Sequence, residues 1–523
     1  MPNDYSRLNT YWNSGPVIMD RVLALRRYQQ DMALFSRDVI GYPLYRYQVE
    51  WAQHALDLVH ERRNEVLVVE QPRQSGKNET SAQLEFAILA RHGAHGGEMV
   101  KTAPTFKPQI VNSKLRFEAR AKMAAERLPF LKVRPSMGYM YRLGRAGITF
   151  LSADPNASVV GATASLALEV DEAQDVDRAK FDKDFAPMRA STAAPMIQYG
   201  TTWTSDTLLA MTKRDILEGR LPGRVFRVLP EQVGEENPAY WAYVEGEVRR
   251  LGRQHPLIRT QYFLEELENR GRLLSETQLR QVMGDHTRKE ERESEGIIVA
   301  GLDWAGADED AGEIASLMRE SKRDSVALVV GAVQYVKETD GLWVPLVRVL
   351  ARYEWTNVHP LSIKATLYDI LQRKWRVNRL HSDATGIGAT GTLELAKALD
   401  AETGKRVQGV TFDGAWKTHT DLAFQYLSLV NGSRLLDYKA AGFDPIETAG
   451  QEEPERENVH RHAWWQRGHA RMEARSNQRV RVYVPESEGH DDLLLAELLM
   501  VDAAMSLQPV APVQPAKKRT AIA

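Results

Sequence analysis

Residues 66–80 read Val-Leu-Val-Val-Glu-Gln-Pro-Arg-Gln-Ser-Gly-Lys-Asn-Glu-Thr, and a helical pattern continues to Arg91. An apolar strand that enters a Gly-Lys loop and then a helix has the geometry of a phosphate-binding P-loop. Backbone N–H groups of such a loop and the helix N-terminus attract phosphate oxygens, while Lys77 reaches the β and γ phosphates. The stretch therefore predicts a nucleotide site in an α/β domain.

The loop departs from the usual P-loop pattern at two positions. Gln71 stands where the pattern has Gly, and Asn78 stands where it has Ser or Thr. Gly-Lys pairs also occur by chance, so the loop by itself leaves an ordinary surface turn open as the alternative.

A second acidic element supports the nucleotide site. The mostly apolar run 166–170 ends in Asp171 and Glu172, which is the Walker B arrangement. Asp171 would hold Mg²⁺, and Glu172 would orient and deprotonate the attacking water. Glu169 is out of character for a buried strand, and a strand that ends in a surface acidic turn is the alternative. The next strand ends in Gly200-Thr201-Thr202, whose hydroxyl groups are of the type that senses a γ-phosphate.

A second α/β pattern begins at Ile297 and carries acids at the ends of separate segments. Asp303 follows an apolar run, Asp383 follows another, and Asp491 and Asp492 precede an apolar helix. Carboxylates that converge in this way bind two divalent ions, about 3.5–4 Å apart, that catalyse phosphodiester hydrolysis. Their hard oxygens suit Mg²⁺ or Mn²⁺. For any one of these acids, an ordinary turn or helix cap is the alternative.

The composition limits the class of protein. The 523 residues are enough for two or three domains, and the absence of cysteine excludes disulfides and Cys-ligated zinc. The net charge of −2 gives no global sign of nucleic acid, so any DNA contact must use local basic patches. No apolar run approaches the ~20 residues that span a bilayer, and the N-terminus lacks a signal-peptide core.

The motifs and their order resemble one family, the large terminase subunits of tailed bacteriophages. Residues 72–79 resemble its deviant P-loop, 171–174 its Walker B text, and 200–202 its coupling motif. The final His-Asp-Asp of residues 490–492 resembles the end of its nuclease. The resemblance covers residues 42–505 and implies a P-loop (ASCE-type) ATPase followed by an RNase H-like nuclease, an α/β fold throughout.

The resemblance also assigns roles to residues. Gln48 would read adenine, Arg73 would contact the phosphates, and Lys417 would contact DNA phosphate or merely start a helix. The nucleotide-binding set is Gln48, Gln71, Arg73, Gln74, Ser75, Gly76, Lys77, Asn78, Asp171 and Thr201. The catalytic set is Lys77, Glu172, Arg73, Asp303, Asp383 and Asp492. The nuclease metal ligands are Asp303, Asp383 and either or both of Asp491 and Asp492, with Asp308, Glu309 and Asp310 as auxiliary candidates.

A transition-state arginine is also expected, because such a group contributes about 10³–10⁵ in rate. Arg73 would act within the same subunit, whereas Arg142 or Arg145 would act on a neighbouring one; the sequence leaves both open.

The expected domains are a helical segment (1–40), the ATPase (41–230), a helical linker subdomain without strands (231–292), the nuclease (293–505) and a disordered tail (506–523). The resemblance implies ATP-driven packaging of viral double-stranded DNA and metal-dependent cutting, with ATP and Mg²⁺ as cofactors and Mn²⁺ as a substitute. Implied partners are a small terminase subunit, a portal on a procapsid and a ring of five copies, without a membrane. The implied location is the host cytoplasm and, transiently, the procapsid, but not the mature virion. The alternative is a helicase- or repair-type ATPase–nuclease that is not tied to a capsid.

Overall fold

The computed structural model describes residues 27–159, 161–268, 270–293, 296–304, 325–337, 343–356, 362–400, 406–412, 417–440, 443–444, 448, 458–475, 478–485 and 487–507. Four sequence features lie wholly or largely outside these residues. They are the first part of the N-terminal helical segment, the auxiliary acids Asp308, Glu309 and Asp310, most of the acidic stretch 447–458, and the tail beyond 507.

The chain divides into two compact units. The first comprises Met1–Val248, Pro256–Asn269 and Arg475–Gln478, and the second comprises Arg249–His255, Arg270–Ala474 and Arg479–Ala523. The segment 231–292, for which we expected a separate linker subdomain, is therefore shared between the two units.

The first unit is built on an eight-stranded sheet. Its strands are β1 Val66–Glu70, β2 Gly97–Ala103, β3 Arg134–Ser136, β4 Met140–Leu143, β5 Ala146–Ser152, β6 Ala167–Val170, β7 Met196–Gly200 and β8 Gly223–Arg227. Their order is β3-β4-β5-β2-β6-β7-β1-β8, antiparallel from β3 to β5 and parallel from β5 to β8. Strand β7 thus lies between the P-loop strand β1 and the Walker B strand β6, as an ASCE-type fold requires.

Helices cover this sheet, which explains why strand β1 is buried along its whole length. The helices of the first unit, of which α8 continues into the second, are α1 Met32–Leu34, α2 Arg46–His60, α3 Lys77–His92, α4 Val111–Arg127, α5 Arg178–Lys180, α6 Leu208–Leu217, α7 Pro230–Glu236, α8 Pro238–Leu251 and α9 Pro256–Gln261. Shorter helical turns are Phe35–Ile40, Phe106–Ile110, Pro129–Leu131, Ala173–Asp175, Phe181–Phe185 and Ala186–Arg189.

The second unit has a six-stranded mixed sheet and a small three-stranded sheet. Its strands are β9 Arg270–Arg272, β10 Ile297–Asp303, β11 Val326–Lys337, β12 Trp343–Trp355, β13 Arg379–Asp383, β14 Val407–Val410, β15 Leu435–Leu436, β16 Arg471–Arg475 and β17 Arg479–Tyr483. The large sheet has the order β14-β13-β10-β11-β12-β15. Strands β10, β11 and β12 form an antiparallel meander, and β13 returns parallel to β10. This is the strand arrangement of an RNase H-like fold.

The helices of the second unit are α10 Glu276–Val282, α11 Lys364–Tyr368 with the turn Asp369–Lys374, α12 Ile387–Asp400, α13 Lys417–Asn431, α14 Val459–His469 and α15 Asp492–Met505. Helix α15 packs directly on β10 at Gly301, where a Cβ atom would lie 2.0 Å from the carbonyl oxygen of Ala496. That close approach brings the start of α15 to the strand that ends in Asp303. Among the described residues, no helix is long and apolar enough to cross a membrane.

Most of the elements expected from the sequence are present, and the α/β fold class is confirmed. Strands β3, β4, β8, β9 and β15 were missed. Strand β9 has only three residues and exists through pairing with the distant strand β16, so no local pattern indicates it. The expectation of no strand in 231–292 was wrong for this reason.

A buried ion cluster joins the elements β2, α3 and β6 of the first unit. Lys101 on β2 places its Nζ 2.6 Å from Glu85 on α3 and 3.9 Å from Glu169 on β6, and each of these side chains is at most 1% exposed. Burial acts to lower the pKa of Lys101, but Glu85, Asp171 and Glu169 outweigh it and raise that pKa. Burial and the nearby Glu85 raise the pKa of Glu169 well above its usual range. Glu169 is therefore accommodated in a buried strand because it lies beside Lys101.

We predict that Lys101→Met lowers the free energy of unfolding of the chain by about 3–5 kcal/mol, because it leaves the buried Glu85 and Glu169 without their cation. Urea denaturation at neutral pH measures this. Lys122→Met on the exposed face of α4 is the matched control and should change stability by less than about 0.5 kcal/mol. Equal stability of the two variants would contradict the role given to the cluster.

Candidate nucleotide and metal sites

The P-loop turns into helix α3 through left-handed backbone. Gly76 has φ 92° at the position before the helix, and Gln74 has φ 64°. Glycine suits the first position because it lacks a Cβ atom, and a Cβ there would also lie 2.3 Å from Nε2 of Gln48. The loop therefore needs a glycine at 76 for two reasons, conformation and space.

The carbonyl of Ser75 fixes the orientation of the loop. It accepts hydrogen bonds from Oη of Tyr47 (2.8 Å), Nε2 of Gln71 (2.9 Å) and Nε2 of Gln48 (3.2 Å). The peptide group is planar and trans, so a carbonyl held toward these side chains points the N–H of the next residue the opposite way. Gln71, which replaces the Gly of the usual P-loop pattern, therefore stabilises this orientation of the loop. The indole N–H of Trp51 donates to Oε1 of Gln71 (3.1 Å) and so fixes the Gln71 side chain.

Gln48 is occupied at both ends of its amide. Its Oε1 accepts from the backbone N–H of Tyr45 (3.0 Å), and its Nε2 donates to Ser75. The adenine-reading role stays a prediction. Nε2 has a second N–H group and Oε1 a second lone pair, so an adenine contact through the amide can be added to these two bonds.

The Walker B acids lie opposite the loop. Nζ of Lys77 is 3.2 Å from Oε1 of Glu172, and the lysine is 7% exposed. Burial acts to raise the pKa of Glu172, but Lys77, Gln174 and Arg73 together outweigh it, and the carboxyl pKa lies below its usual value. Asp171 is buried, and its Oδ1 accepts from the backbone N–H of Glu172 (3.0 Å). Glu172 has φ 48°, a strained conformation that costs on the order of 1–3 kcal/mol and is common at functional sites.

A pocket of about 1310 Å³ lies in front of the loop, ample for a nucleotide. The residues that line it include Tyr42, Pro43, Tyr45, Tyr47, Gln48, residues 72–79, Gln109, Asn112, Leu115, Arg116, Ala119, Arg120, Glu172, Asp175, Thr201, Asn237 and Gln261.

The pocket contains arginines that the sequence analysis missed. Arg116 and Arg120 lie one turn apart on helix α4 and both line it. Arg120 makes a bidentate bond to Glu79 (2.6 and 2.7 Å), whereas exposed Arg116 has no ion-pair partner among the described residues. The i, i+4 spacing was the available signal. Arg73, also in the pocket, donates through Nη1 to Oε1 of Gln261 (2.8 Å).

Arg142 and Arg145 do not line this pocket. Arg142 is on β4 and pairs with Glu98 (2.8 Å), and Arg145 is exposed just after that strand. Strand β4 lies near the opposite edge of the sheet from β1. Neither arginine can serve the P-loop of its own copy in this conformation, so only a role in trans is left for them.

The nuclease acids come from three segments of the second unit. Leu302 pairs with Ser382 in the parallel ladder, so Asp303 and Asp383 follow at the ends of neighbouring strands. Asp303 also faces Ala327 across the antiparallel ladder. Two residues before Ala327, the backbone N–H of Ser325 donates to Oδ2 of Asp492 (2.7 Å), which brings the helix acid to the same edge.

The two adjacent acids of α15 differ in their surroundings. Asp492 is 5% exposed and takes the bond from Ser325, whereas Oδ2 of Asp491 accepts a longer bond from the backbone N–H of Val484 (3.4 Å). Burial raises the pKa of Asp383, which also accepts from the N–H of Thr385 (2.8 Å). Within the described residues, no three acids or histidines are grouped closely enough to hold a metal ion, so the ligand set stays a prediction.

Solved structures of phage large terminases are similar to this chain. The HK97 bacteriophage large terminase is 14% identical with a TM-score of 0.40, covering 91% of this chain and 99% of that one. The large terminase of a thermophilic bacteriophage is 8% identical with a TM-score of 0.49, covering 88% and 99%. The same thermophilic-phage protein in complex with ATP-gamma-S is 9% identical with a TM-score of 0.45, covering 88% and 100%. No protein-family model and no curated relative matches the sequence.

We predict that Asp175 makes the chain less stable as the pH rises toward 7. Burial and the neighbouring Glu172 raise the pKa of Asp175 from 3.8 to about 7. The folded state therefore binds more protons than the unfolded state between these values, and stability must fall as pH rises through that window and level off above it. Asp175→Asn, whose side chain stays neutral, should remove this part of the decrease in the free energy of unfolding with pH.

Urea denaturation at pH 5, 6, 7 and 8 measures the difference between wild type and Asp175→Asn. Exposed Asp182→Asn is the control and should keep the wild-type pH dependence. A difference between wild type and Asp175→Asn that is constant over this range would contradict the prediction.

Proposed function

We propose that this chain is the large subunit of a viral terminase: an ATPase that moves double-stranded DNA, joined to a metal-dependent nuclease that cuts it. The observation that carries the proposal is the arrangement at the P-loop, where Lys77 and Glu172 face each other beside a pocket of nucleotide size. A second unit with two acids at neighbouring strand ends supports the nuclease half.

In the proposed ATPase cycle, Lys77 exchanges Glu172 for oxygens of the β and γ phosphates. The carboxylate so released orients the attacking water and accepts its proton. Asp171 would hold the Mg²⁺, which neutralises charge that develops between the β and γ phosphates. The N–H groups at residues 75–77 would bind the phosphates, because the Ser75 carbonyl is held away from them.

The nuclease half would use Asp303, Asp383 and Asp492, with Asp491 beside them, to hold the metal ions that activate water. Substrate contacts should go mainly to phosphates, since a packaging motor must act on any sequence. Following the resemblance, the partners would be a small subunit, the portal of a procapsid and four further copies in a ring in the host cytoplasm.

We predict that the two activities separate by mutation. Lys77→Ala should reduce the ATPase turnover of the full chain at least about 100-fold, because a phosphate-contacting donor is lost. The same variant should keep Mn²⁺-dependent nicking of a supercoiled plasmid. Asp303→Ala should do the reverse. Release of inorganic phosphate and gel analysis of the plasmid measure the two activities.

Loss of both activities in each variant, with unchanged melting temperature, would contradict two independent sites. ATP-dependent separation of a fluorescently labelled duplex would favour the helicase-type alternative, whereas ATP-dependent uptake of DNA into purified empty procapsids would favour packaging.

We also predict that Arg116 supplies the transition-state cation within the same subunit. It lines the pocket, carries no ion pair among the described residues, and lies one turn from Arg120, which Glu79 already neutralises. Arg116→Ala should lower ATPase kcat about 1000-fold with little change in nucleotide affinity. Arg134→Ala on the exposed strand β3 is the control and should retain wild-type kcat.

Full activity of Arg116→Ala, combined with loss of activity in Arg142→Ala or Arg145→Ala, would replace this assignment with one in trans. Equilibrium binding of a fluorescent ATP analogue separates loss of affinity from loss of turnover.

A further inference from the structure

Gln174 lies at the centre of the Walker B region and is completely buried. Its Nε2 donates to Oε2 of Glu172 (2.8 Å) and to Oδ2 of Asp175 (3.1 Å). Its Oε1 accepts from the backbone N–H of Thr201 (3.2 Å), the residue directly after strand β7. One amide therefore bridges the acid that faces Lys77 and the end of the neighbouring strand.

The fold makes room for this amide at Gly200. A Cβ atom on Gly200 would lie 2.2 Å from Oε1 of Gln174 and 2.7 Å from Cδ2 of Leu209. Real Cβ atoms do not approach other atoms this closely, so any side chain here would displace the glutamine. The glycine at the end of β7 is thus explained by the space it leaves for Gln174.

We propose that Gln174 is a positioning residue that fixes the Glu172 carboxylate and ties it to the Thr201 end of strand β7. When Glu172 turns from Lys77 toward water, the shared amide carries that movement to β7. This inference rests on the proposed ATPase function and adds the residue through which the hydrolytic site is connected to the coupling strand.

A purely structural glutamine is the competing explanation, because a buried amide with all its bonds satisfied also stabilises a fold. The two explanations predict different results when the donor of the amide is removed alone and when the donor and the acceptor are removed together. Gln174→Glu keeps an acceptor for Thr201 and leaves at most one donor, a protonated carboxyl, for Glu172 and Asp175. Gln174→Met has nearly the same length and removes the donor and the acceptor.

The first measurement is steady-state ATP hydrolysis by the full chain. Both variants should lower kcat about 100-fold, since misplacement of a catalytic group by ~1 Å has an effect of this size. KM and the affinity for a fluorescent ATP analogue should stay within about threefold, because Gln174 itself does not line the pocket. Gln198→Met, which changes another completely buried glutamine on β7, is the control and should keep wild-type kcat.

The second measurement is hydrogen exchange of the peptide that contains Gly200–Thr202, followed by mass spectrometry without nucleotide. The Thr201 amide should exchange faster in Gln174→Met than in wild type, and Gln174→Glu should keep the wild-type protection. Gly200→Ala should both expose this amide and lower kcat. Gly246→Ala, at a site with no atom within 4 Å of the added Cβ, should do neither.

If the wild-type chain hydrolyses ATP and Gln174→Met has the same kcat, the inference about Gln174 is overturned, while the proposed function still stands. If the Thr201 amide exchanges at the same rate in Gln174→Met as in wild type, the connection to β7 is overturned. This result does not depend on ATP hydrolysis. A wild-type chain that binds nucleotide but does not hydrolyse it would overturn the proposed function itself. If both variants lose kcat only in proportion to a lower melting temperature, the structural explanation holds instead.

Discussion

The backbone carbonyl of Ser75 is the constraint on which the proposed nucleotide site depends. Three buried side chains from two elements, Tyr47 and Gln48 on helix α2 and Gln71 after strand β1, all donate to this one oxygen. The bonds are made inside the protein, so the orientation of the loop does not depend on a ligand. A loop in which Gly replaced Gln71 would lose one of the three donors and leave the indole of Trp51 without its acceptor.

Two groups of charged side chains lie in the first unit. Lys77 and Glu172 line the pocket. Lys101 is enclosed with Glu85 and Glu169, where the high penalty for an unpaired buried charge keeps the group in place. Glu169 lies on strand β6, and Asp171 and Glu172 follow directly after that strand, so the buried group stabilises the strand that leads into these two acids.

The sequence predicted two α/β regions, the P-loop and the acidic pair that follows strand β6, because these follow from local apolar runs and motif spacing. It could not predict that Gln71 donates to the Ser75 carbonyl, that both ends of the Gln48 amide are hydrogen-bonded, or that Gln174 bridges Glu172 and the end of strand β7. Each of these contacts joins residues brought together only by tertiary packing. The short strand Arg270–Arg272 was missed for the same reason. In the second unit, the strand-end acids were predicted from the pattern, whereas their convergence on metal ions stays a prediction.

The most direct test of the account is a crystal structure of the full chain with ADP, beryllium fluoride and Mg²⁺. We expect the beryllium fluoride, which takes the place of the γ-phosphate, to lie against the backbone N–H groups of residues 75–77. Lys77 should contact the phosphates and no longer Glu172. The Ser75 carbonyl should still accept the hydrogen bond from Gln71. Nucleotide bound outside this pocket, or a Ser75 carbonyl rotated toward the phosphates, would contradict it.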